Sequence, residues 1–240
     1  PHRKRRSNGS IRNPLRRRRE VFWFWREGSK MGFHAIKHFK TITHHKILVA
    51  KGCFRVDLSR QGLLHDMSKY SPSEFLVGCK YYQGFRSPND AERRAKGYSS
   101  AWLHHKGRNK HHFDYWLDYS IDKPGHPIEG VQMPRRYVAE MLMDRIAASK
   151  IYNGENYTDH DPLEYFLKGK AHYMLHPKTE WEIEGLLRIL DQRGEEYLYG
   201  YVKHVYLAPL HRDFRKLLPK KRRKQAYQKL TVDCKMKLDT

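Results

Sequence analysis

Between residues 31 and 211 the apolar positions recur at helical spacing, and strand-like alternation is scarce. Pro134 opens a helix that runs to about Tyr152, with Tyr137, Val138, Met141, Leu142 and Ile146 as its buried side. His176-Pro177 precedes another, striped by Ile183, Leu186, Leu187 and Leu190, with Gly194 placed to close it. Ser71-Pro72-Ser73-Glu74 offers an N-cap serine, a proline at the first helical position and a glutamate at the third, the pattern of a capping box. Asp161-Pro162-Leu163-Glu164 repeats it, and Gly169 can end that helix. An earlier helix spans roughly Phe33 to Lys51, stopped by Gly52. No internal repeat is visible. The pattern predicts an all-α helical bundle over residues 31–211.

Composition adds a core and two unusual ends. Hydrophobic residues make up 39% of the 240 positions, including 5 Trp, 16 Tyr and 10 Phe, enough to build one domain. The formal net charge is +22, and residues 1–30 contribute +9 of it, residues 212–240 another +8. The span 31–211 is thus only mildly basic. Residues 1–30 read as an unstructured basic leader outside the domain, and 212–240 as a basic C-terminal tail. Such runs are solvated tails first, and phosphate-binding arms for nucleic acid as an alternative. Cys53, Cys79 and Cys234 are far apart, with no CxxC pair, which points to a reducing, cytoplasmic setting and away from a cysteine-held zinc. No apolar run approaches the ~20 residues of a membrane span.

The chemistry concentrates in histidine and aspartate. His65-Asp66 stands at the polar end of the apolar run Gly62-Leu63-Leu64, with Lys69 three residues on. An imidazole nitrogen beside a carboxylate suits a divalent metal that prefers oxygen and nitrogen. Asp144 falls in line with Tyr137, Met141 and Ala148. A carboxylate on that apolar face must be bound to a metal or paired, for instance with Arg136 or Arg145. His44 and His45 sit in the first helix, where neighbours point about 100° apart, so one of them at most aims into a site. His104, His105, His111 and His112 crowd one segment between Trp102 and Trp116. On a continuous helix the pairs seven apart lie about 10 Å from each other, too far for one ion. Either the chain breaks near Gly107 to Asn109 and folds them together, or they serve different ions or roles.

The order His, His-Asp, more His, then Asp along helices resembles the HD superfamily of metal-dependent phosphohydrolases. A closer resemblance is to an uncharacterised bacterial family, the DUF5662-type proteins, some of which carry the label catalase. It is carried by Thr43 to Lys46, Gly62 to Phe75, Ala101 to Trp116 and Met133 to Lys150, and it covers about residues 31–195. Nothing in the chain resembles a haem catalase.

The resemblance implies an HD-like domain in which His45, His65, Asp66 and Asp144 hold Mn, Fe or Zn, with His105 and His112 completing one or two ions. It implies a hydrolase acting on a phosphorylated small molecule or nucleotide. Lys69 and Glu74 are then the catalytic candidates, with Glu74 also explained by its capping-box position. Lys106, Arg108 and Asn109 are the substrate-binding candidates, Asn109 alternatively orienting a histidine. A di-iron oxygenase on the same fold is a second expectation. A non-enzymatic nucleic-acid-binding protein acting through its tails is a third.

Overall fold

The computed structural model describes residues 14–121, 125 and 128–208, with side chains from residue 34 onward. The backbone is mostly helical, as the pattern predicts. In chain order the helices are α1 (Pro14–Arg55), α2 (Ser59–Leu64), α3 (Pro72–Tyr81), α4 (Pro88–Lys96), α5 (Ser100–Lys106), α6 (Arg135–Asn153), α7 (Asp161–Gly169) and α8 (Pro177–Tyr201). A hairpin of two three-residue strands, β1 (Leu117–Tyr119) and β2 (Ile128–Gly130), lies between α5 and α6, Leu117 facing Gly130. The pattern predicts no strand there, because three residues are too few to register as alternation.

Two expectations fail on α1. Its backbone is helical from Pro14, so the unstructured leader expected over residues 1–30 does not hold for 14–30. Proline at the first position starts a helix readily, and no further proline interrupts it. Nor does Gly52 stop the helix. A Cβ at Gly52 would lie 2.8 Å from the Met143 sulfur. The glycine serves the close approach of α1 to α6 instead of an end cap. The helix ends three residues later, where Asp57 turns left-handed and the Leu58 amide donates to the Cys53 carbonyl. Gly194 is likewise half as predicted. It breaks the helical path at φ 76°, but the chain resumes and α8 continues to Tyr201.

Helix α6 is the centre of the molecule. Six consecutive residues, Val138 to Met143, are buried, so its middle turns are enclosed on all sides. Val49 and Cys53 of α1, Phe166 of α7, and Ile183, Leu187 and Leu190 of α8 pack around it. Arg145 lays its guanidinium 5.3 Å from the Phe166 ring centre and 5.5 Å from that of Tyr173, so it is not the partner of Asp144. Cys53 and Cys79 are buried free thiols. Among the described residues no helix is long and apolar enough to cross a membrane. Residues 1–13 and 209–240 and the side chains of 14–33 lie outside the described residues, so the basic side chains of both ends do too.

Helices α3, α4 and α5 form a second group that reaches the core through α1. Its keystone is Glu92 on α4, fully buried. Its carboxylate accepts from Ser99 Oγ (2.8 Å), Ser100 Oγ (2.7 Å), the Ala101 amide (3.3 Å) and Lys96 Nζ (2.9 Å). It thereby caps the start of α5, the helix that carries His104 and His105. Burial opposes this charge, but the four donors outweigh it and bring the carboxyl from its ordinary 4.5 down to about 2. A group depressed in the folded state stabilises above its unfolded pKa and loses that contribution as pH falls towards the folded value. Glu92→Gln is therefore expected to cost about 2 kcal/mol near neutral pH. In urea melts from pH 7 down to 3, the gap between wild type and variant should shrink through the window below 4.5. A gap independent of pH would mean that the carboxylate's charge is irrelevant.

Candidate metal centre

The two helix groups meet at a buried cluster. Helix α2 stops at Leu64, and His65 leaves it with extended backbone while Asp66 turns left-handed at φ 53°. That turn matters because adjacent helical residues diverge by about 100°, whereas here both side chains enter one site. A left-handed aspartate is uncommon and carries local strain of the kind found at functional positions. His45 arrives from α1, and His44 beside it is exposed. Asp144 and Glu140 arrive from α6, one turn apart. Helix α5 ends at Lys106, and the chain breaks there, which brings His105, His111 and His112 together. The break near Gly107 to Asn109 is the one of the two alternatives that the structure takes.

Asp66 lies between two sets of donors. Its Oδ2 faces His65 Nε2 at 3.3 Å and His45 Nε2 at 3.9 Å. Asp144 Oδ1 closes this first set, 2.8 Å from His45 Nε2 and 3.6 Å from His65 Nε2. Asp66 Oδ1 faces His105 Nε2 at 3.2 Å and His111 Nε2 at 3.3 Å. His112 closes the second set, its Nε2 2.8 Å from that of His105. In each set the donor atoms lie within 4.8 Å of one another. Donors held at about 2.1 Å around one ion are separated by about 3–3.4 Å along an edge, so these spacings fit ligands of a common centre.

Three buried atoms here have no hydrogen-bond partner, His65 Nε2, His111 Nε2 and Asp66 Oδ1, while Asp66 Oδ2 meets the Lys69 ammonium at 2.6 Å. Buried polar atoms are nearly always satisfied, so three orphans at one point call for an occupant. The far sides of the rings, in contrast, are held. Glu140 Oε1 takes His65 Nδ1 at 3.0 Å and His111 Nδ1 at 3.1 Å. Glu74 takes His105 Nδ1 at 2.8 Å and His104 Nδ1 at 2.6 Å. An ionised carboxylate only accepts, so these rings donate from Nδ1, and His65, His105 and His111 keep the Nε2 lone pair for the centre.

Charge points the same way. Burial opposes ionisation of Asp66, but His65, Lys69 and His105 hold its carboxyl well below the usual range. Burial is likewise outweighed at Asp144 by the hydrogen bond from His45 and by the nearby His65 imidazole. Burial also opposes a charge on His65 and His105, yet Asp66 raises both. His112 is driven well down, first by burial and then by His111 and His105. A site that draws protons onto two buried imidazoles favours positive charge, and a divalent ion supplies it without them.

The candidates from sequence separate into groups. His45, His65, Asp66, His105, His112 and Asp144 come together. Lys69 places its ammonium 2.6 Å from Asp66 Oδ2 and is partly exposed at the rim. Glu74 corrects an expectation. Ser71 does precede α3, but no side-chain capping bond forms, and the Glu74 carboxylate is taken by the two histidines instead. Asn109 donates to the Ser68 hydroxyl and the His105 carbonyl, both at 2.8 Å, so it braces the histidine helix. Arg108 folds back onto the His104 carbonyl at the surface, and Lys106 is half-buried beside it. His111 and Glu140 were not among the sequence candidates. Glu140 left a signal, a lone carboxylate inside the apolar run Val138 to Met143. His111 left none beyond its place in the cluster.

Fold and site together define a mostly helical protein with a buried histidine–carboxylate cluster able to hold metal ions. The chain belongs to DUF5662, a family of unknown function, whose model matches residues 34–189. Every residue of the cluster lies within that match. No curated protein and no solved structure matches the chain.

Proposed function

We propose that this protein is a metal-dependent phosphohydrolase with an HD-like arrangement of helices, acting on a phosphorylated small molecule or nucleotide. The observation that carries it is the convergence on Asp66 of two histidine donor sets, with His65 Nε2, His111 Nε2 and Asp66 Oδ1 left without a partner. His45, His65, Asp66 and Asp144 would hold one ion, and Asp66, His105, His111 and His112 a second. The donors are nitrogen and oxygen only, which suits Mn, Fe or Zn. Ions bound there would polarise a phosphoryl oxygen and lower the pKa of a bound water.

The chain's own residues supply the rest. Lys69 is locked to Asp66 on one side and reaches the rim on the other, where its remaining N–H donors can meet a phosphate oxygen. Burial opposes its charge, but Asp66 and Asp144 raise its pKa, so it stays an ammonium. Glu74 has both oxygens engaged by histidines, which favours an orienting role over proton transfer. Asn109 braces one of these, His105, through its backbone carbonyl. Lys106 and Arg108 lie further out, where only a larger substrate reaches them.

The experiment is elemental analysis of the purified chain, then hydrolysis of p-nitrophenyl phosphate and bis(p-nitrophenyl) phosphate after loading with Mn, Fe or Zn. Two ions per chain and metal-dependent release of p-nitrophenol are expected. Negligible metal after supplementation, or loaded protein inert on both esters, would overturn the reading. Five imidazoles in the donor sets favour one alternative, a di-iron centre that activates oxygen. Oxygen uptake by the iron-loaded chain, without ester hydrolysis, would select it.

A further inference from the structure

Two residues serve both donor sets. Asp66 does so from inside, one oxygen to each. Glu140 does so from outside, through a single oxygen that accepts from His65 in the first set and His111 in the second. The two rings lie 4.3 Å apart between centroids and 37° from parallel. Neither can swing without pushing the other or stretching its bond to Oε1. Glu140 itself is fixed, because it is buried on the enclosed middle turns of α6. Burial opposes its charge, yet the His111 and His65 hydrogen bonds keep its carboxyl below the ordinary range.

We propose that Glu140 is a positioning residue that makes the two ion positions one cooperative unit. By taking Nδ1–H of one histidine from each set at one oxygen, it fixes both tautomers and turns both Nε2 atoms onto Asp66. This inference rests on the two-ion reading above. An ion seated against His65 would hold that ring, and through it the bond to Glu140 Oε1, in the orientation already built. The shared oxygen and the ring contact then set His111 for the second ion, which is a coupling free energy between the two positions. Glu74 is the internal contrast. It also holds two histidines, but only His105 among them is a donor, and it belongs to one set.

The test is titration of the metal-stripped full chain with Zn²⁺ or Co²⁺ against a chromogenic chelator. Wild type is expected to take up two ions over one steep transition. Loss of an outer hydrogen-bond partner costs about 10–100-fold in metal affinity. Glu140→Gln should impose that loss on both ions and flatten the transition. Glu74→Gln should impose it on one ion only. Wild type with two ions but a Glu140→Gln that leaves both unchanged, or weakens just one, overturns the clamp and leaves the metalloprotein reading standing. Wild type that takes up no metal overturns both. Far-UV circular dichroism checks that each variant is helical. Should Glu140→Gln not fold, long-range ¹H–¹⁵N spectra of zinc-loaded wild type decide. His65 and His111 must both show protonated Nδ1, and metal on Nδ1 of either ring defeats the proposal.

Discussion

Asp66→Ala is expected to empty both ion positions at once and to reduce ester hydrolysis to background. Its two oxygens lie between the two donor sets, one facing His65 and His45, the other facing His105 and His111. Losing an outer partner of a ligand already costs about 10–100-fold in affinity, so losing a shared ligand should exceed about 100-fold for each ion. Turnover should fall by about 10³-fold or more, since one charge-stabilising donor alone is worth about 10²–10³. Asp66 lies in a turn outside the apolar core, so the helical signal should survive. His112→Ala is the companion experiment. It touches one set only, and one ion should remain. Elemental analysis reads both. Two ions retained by Asp66→Ala would show that the carboxylate is a bystander and that the two sets do not meet there.

Removing the ions with a chelator should lower the melting temperature by about 10–20 °C. With free metal 100-fold above its dissociation constant, each bound ion adds about 2.7 kcal/mol to stability. In a domain of this size 1 kcal/mol moves the midpoint by about 2–4 °C. Two ions together therefore give the range stated. The direction follows from the chemistry of the cluster. Without cations, Asp66, Glu74, Glu140 and Asp144 stay buried close together, and their charge is met by protons on His65 and His105 and by Lys69. Calorimetry on stripped and reloaded protein measures it, with Glu92→Gln as a control that should lose stability equally in both forms. A midpoint indifferent to stripping and reloading would sink the two-ion reading whatever the assay of hydrolysis says.

The helices were legible because their information is local. The stripe of Ile183, Leu186, Leu187 and Leu190, the prolines at 72, 162 and 177, and Gly169 each act within a few residues, and α3, α7 and α8 begin where they predict. Gly52 was misread because its reason is distant, a methionine 91 positions away on α6. The site divides the same way. His65, Asp66 and Asp144 announced themselves by their position beside apolar faces. Choosing His45 over His44 needed the chain order of related proteins, and exposure of His44 agrees with that choice. His111 stayed hidden because nothing local separates it from His112, and only the path of the chain after Lys106 brings both rings to Asp66. Glu74 looked complete as a capping residue. Its actual partners, His104 and His105, lie 30 and 31 positions away, and no local rule reaches that far.

The enclosure of α6 bears on how this chain can change over evolutionary time. Glu140 and Asp144 occupy the same turns whose other faces close the core, so neither can drift to the surface while the fold lasts. Replacing buried charges with apolar residues of similar size is often neutral or stabilising. Removing one partner alone is costly, so a lineage freed from the need for the centre would gain only by losing these carboxylates together with the histidines they hold. Retained carboxylates on a helix so thoroughly surrounded are a standing sacrifice of stability, and in any descendant their presence or absence is a readable record of whether the centre was still in use.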